Sequence, residues 1–182
     1  MVRHLPNLLS ALRLLAAPFT AWLILSGHDT VSLLVFAAAG LSDGLDGFIA
    51  RRWGVTSGFG AWLDPAADKL LMLFCFTALY AVHIVPFWLV AIVVGRDLVF
   101  ALAWGLIKLL GLGLTTPTLF VGKLSTAVQV VTILTLLLLL ALDLDAPHLS
   151  LALAVACAFF TLLAAAGYAT VMMRLAGKRV PQ

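Results

Sequence analysis

The sequence predicts an all-α, polytopic membrane protein with six transmembrane helices and a short amphipathic N-terminal segment. Composition is the first reason. Of 182 residues, 64% are hydrophobic and 10% charged, with a mean hydropathy of +1.16, which excludes an ordinary water-soluble domain. Length is the second: at about 20 residues per crossing, the chain accommodates about six helices with short loops and no separate soluble domain. Residues 1–182 therefore read as one domain. The third is punctuation, because polar clusters such as Ser26-Gly27-His28-Asp29 and Asp143-Leu144-Asp145-Ala146-Pro147 separate the apolar runs. The net charge of +3 is small and its basic residues are spread among helix ends. This predicts contact with anionic lipid headgroups and no nucleic-acid partner. Cys75 and Cys157 fall in apolar segments and read as packing residues, without disulfide or metal spacing.

Met1 to Ser10 forms the amphipathic start, with Arg3 and His4 on the headgroups, Pro6 as a break, and Asn7 and Ser10 opening the first span. Pro6-Asn7 and Arg13 interrupt what would be a signal-peptide core and no convincing cleavage signal follows, so this reads as a retained first helix. No long Arg- and Ser-rich presequence is present, which favours a bacterial cytoplasmic membrane. The spans are expected at about residues 8–25, 31–51, 59–82, 86–110, 119–141 and 149–173. Arg51 to Gly58 reads as a polar, glycine-containing break, and 111–118 as a loop. Pro65 removes a backbone donor inside the third helix, either loosening the turn around Asp64 or only kinking it. The fourth span carries Arg96-Asp97, a charged pair costly in an apolar segment. It is either a structural ion pair or an Arg96 facing a cavity. Lys123, on the fifth span with Gln129, binds an anion or snorkels. Arg3, Arg13, Arg51, Arg52, Lys108, Lys123, Arg174, Lys178 and Arg179 fall toward one face, and Asp29, Asp143 and Asp145 toward the other. The positive-inside rule then places both termini in the cytoplasm.

The chemistry concentrates between Ser42 and Lys69. Asp43, Asp46, Gly47 and Ala50 follow i, i+3, i+4, i+7 spacing, and Gly60, Asp64 and Asp68 follow i, i+4, i+8, giving one stripe on each of two successive helices. A hairpin would face the four carboxylates toward one small space. Desolvation and mutual repulsion forbid four bare charges there, and a bound cation resolves the conflict. Carboxylates without His or Cys suit a hard ion, Mg2+ or Mn2+, which commonly bridges protein carboxylates to phosphates. Gly47 and Gly60 allow close approach of a substrate, and Arg51, one turn beyond Gly47, is placed to clamp a phosphate. Together these residues point to a metal-held diphosphate.

The pattern Asp-x2-Asp-Gly-x2-Ala-Arg-x8-Gly-x3-Asp-x3-Asp, met by Asp43, Asp46, Gly47, Ala50, Arg51, Gly60, Asp64 and Asp68, resembles the CDP-alcohol phosphatidyltransferases. The resemblance implies CDP-diacylglycerol as donor and CMP as product. It implies Asp43, Asp46, Asp64 and Asp68 as ligands of two metal ions, with Asp68 also the general base. It further implies that Asn7, Asp43, Asp46, Gly47, Ala50, Arg51 and Gly60 meet CDP-diacylglycerol. Arg13 carries over as another donor near the nucleotide; the alternatives are capping for Asn7 and snorkelling for Arg13. Arg96 and Lys123 would bind an anionic lipid or polyol-phosphate acceptor. Ala39 to Arg51, Leu63 to Lys69, Arg96-Asp97 and Lys123 to Gln129 resemble the cardiolipin branch. The glycerophosphate branch typically has Arg-Glu on the fourth helix and a further Arg; here Asp97 replaces that Glu, and Phe100 to Trp104 has no Arg. Phosphatidylglycerol is therefore the favoured acceptor, giving cardiolipin, with glycerol 3-phosphate second. The family implies a homodimer, and the positive-inside rule puts the aspartate site on the cytoplasmic side. An ion-coupled transporter is the rival from another class, but no second copy of the aspartate pattern supplies its repeat. A membrane prenyltransferase is disfavoured because its acidic motif is more closely spaced and occurs twice.

Overall fold

The structure is a computed structural model whose backbone is described for residues 5–53, 60–109 and 119–177, and whose side chains are described for 11–42, 66–105, 109 and 119–173. Helices α1 (Leu5–Leu25), α2 (Asp29–Trp53), α3 (Gly60–Ala81), α4 (Phe87–Leu109), α5 (Phe120–Ala141) and α6 (Pro147–Gly177) follow one another, and no strand occurs among the described residues. Stretches in α4, α5 and α6, namely Phe87–Gly105, Phe120–Ala141 and Pro147–Met173, are long and apolar enough to cross a membrane. Shorter apolar stretches, Ala11–Leu25 and Asp29–Ser42, occupy α1 and α2.

Two expected boundaries move. Pro6 does not break the chain, because α1 already begins at Leu5. In the first turn of a helix the missing proline N–H has no carbonyl to serve, so Pro6 is tolerated there. The separate amphipathic segment is thus taken into α1 from Leu5 onward. Arg51, Arg52 and Trp53 likewise belong to α2, since arginine is a good helix former. Residues 54–59, the rest of the expected break, lie outside the described residues. α3 runs on through Pro65.

The chain divides into two compact units, Met1–Ile84 with Ile133–Pro147, and Val85–Thr132 with His148–Gln182. In the first unit, α1 packs along both α3 and α2. Its buried stripe is Ala17, Thr20, Ala21 and Ile24, and α3 buries Ala67, Leu71, Cys75, Ala78 and Leu79. Ala17 and Ala67 are fully buried; small side chains let helix backbones approach closely. Thr20 donates its hydroxyl to Ala16 O at 2.7 Å, so this polar group joins the seam without an orphaned proton.

The same unit holds three tight turns with one hydrogen-bond pattern. After α1, His28 N donates to Leu23 O at 2.9 Å and Gly27 N to Ile24 O at 3.2 Å, with Gly27 at φ 71°. After α3, Ile84 N donates to Leu79 O and His83 N to Tyr80 O, both at 2.9 Å, with His83 at φ 61°. After α5, Leu144 N donates to Leu139 O at 2.9 Å and Asp143 N to Leu140 O at 3.0 Å, with Asp143 at φ 52°. Each is a Schellman cap, which satisfies the last helical carbonyls through one left-handed residue. Glycine adopts that conformation freely, whereas histidine and aspartate do so at a cost.

Substitution at these caps should therefore change stability with opposite signs. A Cβ on Gly27 meets nothing within 4 Å, so Gly27→Ala should lose about 1 kcal/mol through backbone strain alone. His83→Gly should raise the thermal unfolding midpoint of the detergent-solubilised protein. Shifts of the same sign in the two variants would contradict this account.

Candidate active site

The candidate site grows from the α1–α3 seam. Arg13 lies one turn before Ala17 on the buried stripe of α1, and Asp68 follows Ala67 on α3. α1 packs along α3 here, with Ala17 and Ala67 both fully buried, and the longer side chains beside them meet. Arg13 Nη1 donates to Asp68 Oδ1 at 2.9 Å, across 55 residues of sequence. The Arg13 side chain is 2% exposed and that of Asp68 40%. Snorkelling is thereby excluded for Arg13: its guanidinium is not in water but inside the helix packing, against a carboxylate. The ion pair does not seal Asp68, whose carboxyl keeps substantial solvent access.

The other expected donor-side residues are placed by backbone alone. Asp43, Asp46, Gly47, Ala50 and Arg51 belong to α2, Gly60 and Asp64 to the start of α3, and Asn7 to the first turns of α1. Their side chains lie outside the described residues. Asp43 and Asp46 are one turn apart on an unbroken helix, as are Asp64 and Asp68 on the next. A donor set of carboxylates, without imidazole or thiolate, fits a hard divalent ion such as Mg2+ or Mn2+. Those four aspartates are the residues that would hold it.

The second unit carries the other charged residues of interest. Arg96 Nη1 donates to Asp97 Oδ1 at 2.9 Å, with side-chain exposures of 7% and 19%. Its guanidinium carbon lies 5.0 Å from the centroid of the Phe100 ring, one turn further along α4, a cation–π contact. The ion pair, one of the two readings that the sequence left open, is thus present, yet among the described residues Arg96 Nε is buried without a hydrogen-bond partner. A charged donor in that condition is expensive unless something accepts from it. Lys123, in the first turn of α5, is exposed.

Sequence reasoning missed a buried polar seam between α5 and α6. Gln129 Nε2 donates to Thr161 Oγ1 at 3.1 Å, Ser125 Oγ lies 3.4 Å from the same oxygen, and Thr161 donates to Cys157 O at 2.7 Å. All three side chains are fully buried. Gln129 in an apolar helix was the available signal; its partner Thr161, an ordinary threonine 32 residues later, carried none. Cys75 and Cys157 are both free and buried, as expected of packing residues.

Helices long and apolar enough for a bilayer define an integral membrane protein, one that carries paired acidic residues on two successive helices. The particular family follows from comparison: the sequence model of the CDP-alcohol phosphatidyltransferases matches residues 3–173, and the chain belongs to that family. It is 42% identical over 107 residues to a probable cardiolipin synthase (CMP-forming) of Drosophila melanogaster, covering 58% of this chain and 33% of that protein. It is 39% identical over 113 residues to a cardiolipin synthase (CMP-forming) of Streptomyces coelicolor, covering 59% and 53%. A CDP-diacylglycerol–glycerol-3-phosphate 3-phosphatidyltransferase of Salmonella typhimurium is 31% identical over 136 residues, covering 71% and 74%. The chain thus spans about a third to a half of those two cardiolipin synthases and about three quarters of the third relative.

The unequal burial of Arg13 and Asp68 predicts unequal consequences of removing either. Asp68→Ala leaves a buried guanidinium short of a carboxylate, whereas Arg13→Met leaves a carboxylate that water reaches. Asp68→Ala should therefore lower stability by about 1–3 kcal/mol more, read from unfolding midpoints in one detergent. A larger loss for Arg13→Met would overturn the asymmetry.

Proposed function

We propose that this protein transfers the phosphatidyl group of CDP-diacylglycerol to the hydroxyl of phosphatidylglycerol, forming cardiolipin and releasing CMP. The observation that carries the reading is the unbroken eight-residue pattern from Asp43 to Asp68, lying on α2 and α3 of a chain whose family match spans nearly its whole length. Two Mg2+ or Mn2+ ions held by Asp43, Asp46, Asp64 and Asp68 would neutralise the diphosphate and stabilise the leaving phosphate. Asp68 accepts the proton of the acceptor hydroxyl as its oxygen attacks the phosphorus next to the diacylglycerol oxygen. A new oxygen–phosphorus bond forms, the bond to the CMP oxygen breaks, and no covalent enzyme intermediate is needed. Arg13 orients Asp68 through their ion pair. Arg51 adds positive charge at the diphosphate, Asn7 donates near the nucleotide, and Gly47, Ala50 and Gly60 leave room for it. Arg96 and Lys123 bind the anionic acceptor.

All six helices cross the membrane in this reading, as one catalytic domain, with both termini and the aspartates on the cytoplasmic side of a bacterial membrane. The functional unit is a homodimer. Glycerol 3-phosphate is the second acceptor reading, favoured by the long match to the Salmonella relative; Asp97 beside Arg96 and the lack of a further Arg from Phe100 to Trp104 favour phosphatidylglycerol. An ion-coupled transporter would release no CMP.

Purified protein in lipid with Mg2+ and labelled CDP-diacylglycerol should yield cardiolipin when given phosphatidylglycerol and no product with myo-inositol. Product only with glycerol 3-phosphate would replace the acceptor. EDTA should abolish CMP release and excess Mg2+ restore it. Asp68→Asn should lower kcat by about 10²-fold or more, the usual worth of a positioned base; wild-type turnover in that variant would remove Asp68 from this role.

A further inference from the structure

Arg96 does not hold its position alone. The Phe100 ring beneath its guanidinium meets the edge of Tyr168, with ring centroids 4.8 Å apart and planes at 63°. Tyr168 is on α6, and its hydroxyl oxygen lies 3.4 Å from Leu119 N, which donates to it. Leu119 immediately precedes α5, and its carbonyl accepts from Gly122 N at 3.0 Å and Lys123 N at 3.4 Å in the first turn. Tyr168 therefore touches both structures that present cations: the ring under Arg96 and the turn that carries Lys123. The fit is tight. A Cβ on Gly122 would lie 2.8 Å from Tyr168 Oη and 3.0 Å from Cε2, so any larger residue at this point in α5 would force the ring to shift.

We infer that Tyr168 is a positioning residue for the acceptor, holding the aromatic floor of Arg96 and the first turn of α5 in one arrangement. The inference rests on the reading that Arg96 and Lys123 bind an anionic acceptor. Its independent support is the buried Arg96 Nε, a donor without a partner among the described residues, on a side chain 7% exposed. Phe100 and Asp97 fix the guanidinium from two sides and leave that donor for a third group, an anionic or strongly polar oxygen. An aromatic edge contact and a single hydroxyl suit this task, because a tyrosine ring has few rotamers to lose and its tip can still accept from a backbone amide. Small displacements of such supports are felt at the bound group. Gly122 has the complementary role, since its missing side chain is what lets α6 reach the start of α5.

The test varies donor and acceptor separately in mixed micelles of stated mole fraction, with CDP-diacylglycerol as donor and phosphatidylglycerol or glycerol 3-phosphate as acceptor. Tyr168→Leu should raise the acceptor KM about tenfold and leave the donor KM within about twofold. Tyr168→Phe keeps the ring against Phe100 and should restore most of the acceptor affinity. Gly122→Ala should behave like Tyr168→Leu, and adding Tyr168→Phe should relieve part of its defect by removing the nearer clash, giving a non-additive cycle. Donor and acceptor KM rising together, or an unchanged acceptor KM in protein that makes product, would overturn the positioning role while leaving the transferase reading intact. If Tyr168→Leu does not yield monodisperse protein, the Gly122→Ala and Tyr168→Phe cycle decides: coupling in acceptor KM supports the inference and additivity overturns it. Wild-type protein that forms no product with either acceptor would overturn the transferase reading, and this inference with it.

Discussion

Polar groups removed from water are costly unless they find partners inside the chain, and this constraint shapes most of the buried polar features of the structure. In hydrocarbon an unsatisfied backbone group costs several kcal/mol. The hydroxyls of Thr20, Thr77 and Thr161 answer it by bonding carbonyls four residues back in their own helices. Three Schellman caps answer it at the ends of α1, α3 and α5. Charged groups need more than a helix can supply by itself, so their partners report on tertiary structure.

The two ion pairs illustrate different solutions. Arg96 and Asp97 are neighbours in sequence, and their contact needs only the local backbone. Arg13 and Asp68 come from different helices, and their contact requires α1 and α3 to pack in one register. Ala17 and Ala67 are fully buried beside the pair, and the ion pair penalises any slip, since sliding by a turn would separate Arg13 from Asp68. A carboxylate held in this way is a fixed point on α3, which suits a group whose geometry toward substrate must not wander. The seam therefore joins apolar packing to a buried ion pair, and the sequence carries it as ordinary helical spacing.

What could be read in advance follows from what is local. Helix order and most helix ends were legible because apolar runs stop where polar turn formers begin, as at Ser26 to Asp29 and Asp143 to Pro147. Pro6 misled because a proline signal does not say whether it stands before a helix or within its first turn. Arg51 to Trp53 misled because basic residues near a glycine resemble a loop while being good helix formers. The aspartate pattern stood out as a candidate site because four carboxylates at helical spacing have no apolar explanation. The partner of Arg13 was not, because periodicity fixes a face but not what stands opposite it. Tyr168 was invisible for the same reason, although Gly122, an isolated glycine within an apolar helix, was a signal of close approach that went unused.

The separation between Arg13 and Asp68 also bears on how the protein is made. A guanidinium near the middle of a lone helix adds about 2.5–3.5 kcal/mol to the free energy of entering a bilayer. Its carboxylate lies 55 residues downstream, so a ribosome exposes α1 well before α3 exists. In the proposed six-span arrangement the first helix would be sheltered by the insertion machinery, or held at the surface, until the third arrives. Biosynthesis would then have a waiting step at its beginning, imposed by the residue that later pairs with Asp68.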